Sequence, residues 1–163
     1  MAIYMKLDKI TGPVQTGPFK DTIELTSFST GASRHLSQPT RSEQNRGHAE
    51  ADIDMVFVSK LWDGVSSAKL FQSVAKGEMD MTATISFTNA DTPASTYLEV
   101  CLTNAAIARY SVRGSGGAAT DLPTEDLTIS FTAIQWTPYT VDSKGKPTKG
   151  GMVKMDLPTG TLS

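Results

Sequence analysis

Apolar and polar side chains alternate with a period of two through most of this chain, and that pattern admits few folds. Residues two apart share one face of a β-strand, so each alternating run lays one face on a core and leaves the other wet. Ile3, Met5 and Leu7 alternate with Tyr4 and Lys6. Met81, Ala83, Ile85 and Phe87 alternate with Thr82, Thr84, Ser86 and Thr88. Leu98, Val100 and Leu102 oppose Tyr97, Glu99 and Cys101, and Leu127, Ile129 and Phe131 oppose Thr128, Ser130 and Thr132. Beyond Phe131 the apolar register moves to Ile134 and Trp136, which implies a bulge or a strong twist. Less regular runs at 22–30, 52–59 and 107–113, with a last short strand at 153–157, bring the expectation to about seven or eight strands. That count suits a β-barrel or a two-sheet sandwich.

One segment departs from this period. In 65–76, Ala68, Phe71 and Ala75 share a helical face with Leu70 and Val74 beside them, while Ser66, Lys69, Gln72 and Ser73 fall largely opposite. Asp63 or Ser66 can cap its start, and Gly77 can take the left-handed conformation at its end. The expectation is one short amphipathic helix near 64–76, closing a mouth of the barrel with its apolar stripe in the core. At 163 residues, the chain is expected to form a single domain over 1–163, long enough for a core without disulfides or metals.

Composition narrows the function classes. The formal net charge is −2, so no global positive field holds a nucleic-acid backbone or an anionic membrane. Cys101 is the single cysteine and forms no internal disulfide, which leaves the fold independent of an oxidising compartment. Lys6 and Lys9 interrupt the apolar residues of 1–11. There is no apolar run of signal-peptide length and none long enough to span a bilayer. The protein is expected to fold in the cytoplasm and, if exported, to leave without a cleavable signal.

No motif carries catalytic chemistry. His48-Ala49-Glu50 matches the start of a zinc-deaminase signature, but that chemistry needs a Cys-x-x-Cys pair and the chain has one cysteine. His35 and His48 lie on no rigid element and make a poor ligand set. In Gly145-Lys146-Pro147-Thr148 a proline stands where a phosphate loop needs Ser or Thr. There is no Gly-x-Ser-x-Gly elbow, and Cys101 reads as a structural thiol. The expected protein is no enzyme and takes no cofactor or metal.

Two connections stand out. Residues 141–151, rich in Lys, Gly and Pro, read as a mobile loop, and Gly114–Gly117 as a flexible turn. Residues 32–49 have no clear period, and so long a loop is uncommon in a compact domain. Arg34, His35, Arg41, Arg46 and His48 make it basic with Glu43 its only acid, and Glu50, Asp52 and Asp54 follow at once. Two readings stay open: a solvated loop, or an arm to a neighbouring subunit in which complementary charges set register.

The order of these elements resembles that of Hcp, the tube-forming family of type VI secretion. Met1-Ala2-Ile3-Tyr4-Met5-Lys6-Leu7 resembles its first strand, and Ile23-Glu24-Leu25-Thr26-Ser27-Phe28-Ser29-Thr30-Gly31 its second. The most specific stretch runs from Tyr97 through Val112, across Gly114–Gly117, to Pro123-Thr124-Glu125-Asp126-Leu127-Thr128-Ile129-Ser130-Phe131, then Ile134, Trp136, Thr137 and Tyr139. The first turn departs from the pattern: Gly12-Pro13-Val14-Gln15-Thr16-Gly17-Pro18 lacks the more usual Gly-Glu-Ser and is rich in proline. The resemblance implies barrel protomers in a hexameric ring, with rings stacked into a tube. It implies contractile sheath proteins, a spike protein of the VgrG type and secreted effectors as partners, with no nucleic acid and no membrane insertion. It further implies residence in the bacterial cytoplasm before firing and then release outside the cell. It assigns subunit and ring-stacking contacts to the loop and its flank, through Arg34, His35, Arg41, Glu43, Arg46, His48, Glu50 and Asp52. Ser29 matches a position that the family turns into the lumen, where effectors are held. The alternatives are a phage-type tail tube protein and a secreted carbohydrate-binding β-sandwich module.

Overall fold

The computed structural model describes residues 1–15, 17–34, 51–89, 95–117, 122–141 and 147–163. Strand β1 (Ala2–Leu7) is followed by a 3-10 turn at Gly17–Phe19, and then by β2 (Ile23–Leu25), β3 (Ser27–Ser29), β4 (Ala32–Arg34), β5 (Ala51–Ile53) and β6 (Val56–Leu61). Helix α1 (Ser67–Lys76) precedes β7 (Met81–Thr88), β8 (Thr96–Arg113), β9 (Thr124–Ser130), β10 (Ala133–Val141), β11 (Pro147–Lys149), β12 (Val153–Asp156) and β13 (Thr161–Leu162). The alternating runs lie where the sequence put them. The count rises to thirteen strands among the described residues because several runs break into short pieces. Run 22–30 splits at Thr26 into β2 and β3, and run 52–59 splits into β5 and β6. Part of the expected loop 141–151 is strand: Pro147–Lys149 returns along Tyr139–Val141 as a hairpin.

Antiparallel pairing closes the strands on themselves. β1 pairs with β2 on one side and β7 on the other, and β7 pairs with β8. β8 pairs with β9, β9 with β6, and β6 with β3. Thr26, whose N–H reaches the Ser59 carbonyl at 2.8 Å, is the only residue between β2 and β3, so the circuit is complete. Closure leaves the circuit itself without a free edge, while β10, β12 and β13 extend from β8 as an open branch. Inward residues of the barrel strands, including Met5, Ile23, Val56, Ile85, Val100, Leu102 and Ile129, are buried in one contiguous core.

Strand β8 belongs to both halves of the barrel. Leu98–Thr103 lies between β7 and β10, whereas Ala106–Arg113 pairs with β9. The two runs expected separately around 97–113 are one 18-residue strand bent at Asn104. This residue has φ 50°, a left-handed conformation that asparagine tolerates better than most side chains. A register shift between Ile107 and Arg109 completes the bend.

Helix α1 packs on β8 and ends as expected: Gly77 is left-handed (φ 67°, ψ 38°), and its N–H turns back to the carbonyls of Ser73 and Val74. The helix starts at Ser67, later than expected, because Asp63 organises the turn before it. One Asp63 carboxylate oxygen accepts the N–H groups of Val65 (2.8 Å) and Ser66, while the other accepts the Ser66 hydroxyl at 2.6 Å. The apolar stripe is phased differently from the expectation. Leu70, Ser67 and Ser73 are the buried residues, and Phe71 is 61% exposed, its ring set edge-on to Tyr110 at 6.0 Å. Small serines let the helix approach the barrel closely, which a phenylalanine on that face would prevent.

Candidate functional site

Ser29, which the resemblance implies faces a lumen, stands at the edge of a polar sheet face. Strand pairing brings outward side chains of β3, β6, β9 and β8 into rows. Ser27, Ser59, Asp126 and Ser111 form one row, and Ser29, Phe57, Thr128 and Arg109 the next. Leu61, Thr124 and Arg113 continue it on three strands. Together with Val58 and Leu127, the first two rows and Arg113 line a shallow trough of about 540 Å³. Short hydroxyl side chains keep it open, and Phe57, 48% exposed, is the large apolar group in it. Ser59 donates its hydroxyl to Asp126 at 2.6 Å, and Arg113 pairs with the other Asp126 oxygen. The Ser59 hydrogen bond first, and then Arg113 and Arg109, hold the Asp126 pKa below the usual carboxylate range despite partial burial. Arg109, also exposed, makes no ion pair among the described residues.

Of the loop residues singled out in sequence, the structure describes Arg34 and Asp52. They lie on an exposed two-stranded arm, β4–β5, with Ser33 opposite Asp52 and Arg34 opposite Ala51. His35, Arg41, Glu43, Arg46, His48 and Glu50 lie outside the described residues. The start of the expected irregular loop is thus strand. Its root is tied by the Asp54 N–H to the Gly31 carbonyl (2.9 Å) and the Thr30 hydroxyl to the Asp54 carbonyl (3.1 Å). Beneath the arm, Ile53, Ile134, Trp136, Val153, Met155 and Leu162 line an apolar cleft of about 400 Å³.

A buried charge cluster escaped the sequence reading. Lys60 and Glu125 face each other across β6 and β9 and are 1% and 0% exposed. Their ion pair is completed by Ser67 on α1, whose hydroxyl lies 3.1 Å from Lys60 Nζ and 2.9 Å from Glu125 Oε2. Asp63 adds a second carboxylate 2.8 Å from Lys60, and the Tyr110 hydroxyl donates to Glu125 Oε1. Burial first, then the Glu125 carboxylate, raise the Tyr110 pKa, so the phenol stays protonated as a donor. The signal was present: Lys60 shares inward parity with Val56 and Val58, and Glu125 with Leu127 and Ile129. The cluster joins helix to barrel.

Its acid sensitivity follows from Asp63. Burial alone would raise this pKa, but hydrogen bonds from Lys60, Ser66 and the backbone outweigh burial and take it from 3.8 to about 2. A depressed carboxylate pKa gives stability present above the unfolded value and lost as pH falls through the folded one. We expect Asp63→Asn to be less stable than the parent at pH 5 by roughly 1–2 kcal/mol, with the gap closing towards pH 2. Urea midpoints at the two pH values check this, and a gap independent of pH would remove Asp63 from the acid response.

The family model described as "Type VI secretion system effector, Hcp" matches residues 4–137. The chain belongs to the Hcp family. A solved type six secretion system protein superposes with a TM-score of 0.89 at 23% identity, covering 99% of each chain. Hcp1 from Salmonella typhimurium gives 0.73 at 18% identity, over 99% of this chain and 98% of that one. A type VI secretion system effector from Yersinia pestis gives 0.68 at 17%, over 94% and 98%. A search of curated proteins finds no match. The Hcp family is a component of a secretion system rather than an enzyme family, and among the described residues no helix is long and apolar enough to cross a membrane.

Proposed function

We propose that this Hcp chain is the structural subunit of a type VI secretion inner tube, in which single-domain barrels close into hexameric rings and the rings stack. The observation that carries this reading is the family match over 4–137, supported by a barrel whose closed circuit leaves polar sheet faces and a projecting arm for contacts between copies. Ring contacts must close on themselves, whereas head-to-tail stacking propagates. The β4–β5 arm and the basic stretch between its two strands in sequence, with Arg34, His35, Arg41, Glu43, Arg46 and His48 against Glu50 and Asp52, supply the stacking contact. Charge pairs there set register rather than raw affinity. Ser29 and its sheet face the lumen, where secreted effectors are carried. A contractile sheath surrounds the tube and a VgrG-type spike caps it. The protein waits in the cytoplasm and is expelled with the tube, acting without catalysis.

Light scattering on the purified protein should give a species near six times the 17.5 kDa protomer, and electron micrographs should show annuli. A clean monomer at high concentration would end the ring reading. Reversing charge at Arg41 and Arg46 together should leave single rings but lower stacking about tenfold or more, as expected for rim charges that set register; unchanged stacking would move that contact elsewhere.

A further inference from the structure

We propose that the outer face of the β3–β6–β9–β8 sheet is a docking wall for acidic, extended polypeptide segments of transported proteins, with Arg109 as the residue that reads their charge. This rests on the proposed tube, which turns Ser29 and therefore its whole row towards the lumen.

Three observations favour this occupant. The first is charge. The trough holds two arginines and one acid, although the chain as a whole carries net charge −2. Asp126 is hydrogen-bonded by Ser59 and ion-paired with Arg113; Arg109 acts on it through space but makes no ion pair among the described residues, so its planar fork can take an external carboxylate. The second is the row in which Arg109 sits. Ser29, Phe57, Thr128 and Arg109 run side by side across four strands. At about 4.8 Å per strand the row spans roughly 14 Å, the reach of about four residues of extended chain. Ser29 and Thr128 can donate or accept hydrogen bonds along it, and exposed Phe57 offers one apolar contact in the middle. The third is the scale of the charge. Nucleic acid binding draws on many phosphate contacts, whereas among the described residues this sheet face offers one guanidinium outside an ion pair, beside small hydroxyls. That is enough for a carboxylate on a peptide, with weak and reversible retention suited to a conduit.

The test uses the full chain and three labelled probes: a Glu-rich decapeptide with a central leucine, the same peptide with lysine for glutamate, and a ten-nucleotide thymidine strand. Binding is read by fluorescence anisotropy and ring mass by light scattering on the same samples. The expected result is binding of the acidic peptide alone, weakened about tenfold or more by Arg109→Glu, largely restored by Arg109→Lys, and weakened similarly by Ser29→Trp, which fills the far end of the row. All three variants should keep the parent's mass, because Arg109 and Ser29 are exposed. If rings form but the lysine peptide binds equally, or Arg109→Glu changes nothing, the docking wall is wrong while the tube reading stands. If the thymidine strand binds as tightly as the peptide, the occupant class is wrong. If the parent makes no ring, the tube reading fails and takes this inference with it.

Discussion

Glu125→Leu should cost about 3–5 kcal/mol of stability, and Lys60→Met combined with Glu125→Leu should cost distinctly less than the single change. The reason is desolvation. Lys60 and Glu125 lie opposite each other inside the barrel at 1% and 0% exposure. Removing one partner leaves a buried charge uncompensated, whereas replacing both with apolar groups of similar volume removes the penalty together with the attraction. Asp63, 2.8 Å from Lys60, remains as a partner in the single variant and holds the cost towards the lower end of that range. The double variant does not return fully to the parent, because Ser67 and Tyr110 each lose an acceptor and an unmet buried hydroxyl costs about 1–3 kcal/mol. Urea denaturation at one fixed protomer concentration is the measurement, since assembly shifts apparent stability. At this chain length the single change should lower Tm by about 6–20 °C. Simple additivity of the two substitutions would show that the pair is not coupled, and the buried cluster would then be ordinary polar packing.

That cluster marks where sequence reading stops. The alternating runs were legible because each barrel strand has one face in the core and one in solvent, so side-chain chemistry reports the strand face directly. Met81–Thr88 needed no further information. Lys60 and Glu125 violate that chemistry at inward positions, and only the register that sets one opposite the other makes the violation tolerable. Phase in α1 failed for a related reason. Hydrophobicity alone puts Phe71 in the core, whereas close approach to β8 favours Ser67 and Ser73. Of the trough, Ser29 came from its resemblance to a family position, but Arg109 is separated from it by 80 positions and joins its row only through β6 and β9. Nothing in a linear reading links the two.

Gly12→Ala should destabilise the protein by about 3 kcal/mol or more, against a change within about 0.5 kcal/mol for Gly64→Ala. A Cβ built on Gly12 would meet the Thr22 carbonyl oxygen at 2.0 Å and carbon at 2.1 Å, with the Ile23 nitrogen at 2.5 Å. These atoms are backbone, and hydrogen bonds fix them on both sides: Gly12 N–H to the Asp21 carbonyl at 2.9 Å, and Val14 N–H to the Thr22 carbonyl at 3.1 Å. No rotamer change relieves the clash, so the chain must part between Gly12 and Thr22. Parting displaces the segment that leads into β2, including Phe19, which stacks on Tyr4 with ring centroids 4.6 Å apart. Because β2 and β3 join across Thr26, the opening reaches the seam at which the barrel closes. Gly64 meets nothing within 4 Å and serves as the matched control. Hydrogen exchange in the alanine variant should accelerate first at the amides of Asp21, Thr22 and Ile23, ahead of β8 and β9. Equal stability of the two variants, or exchange that rises uniformly along the chain, would mean that this crossing does not hold the seam.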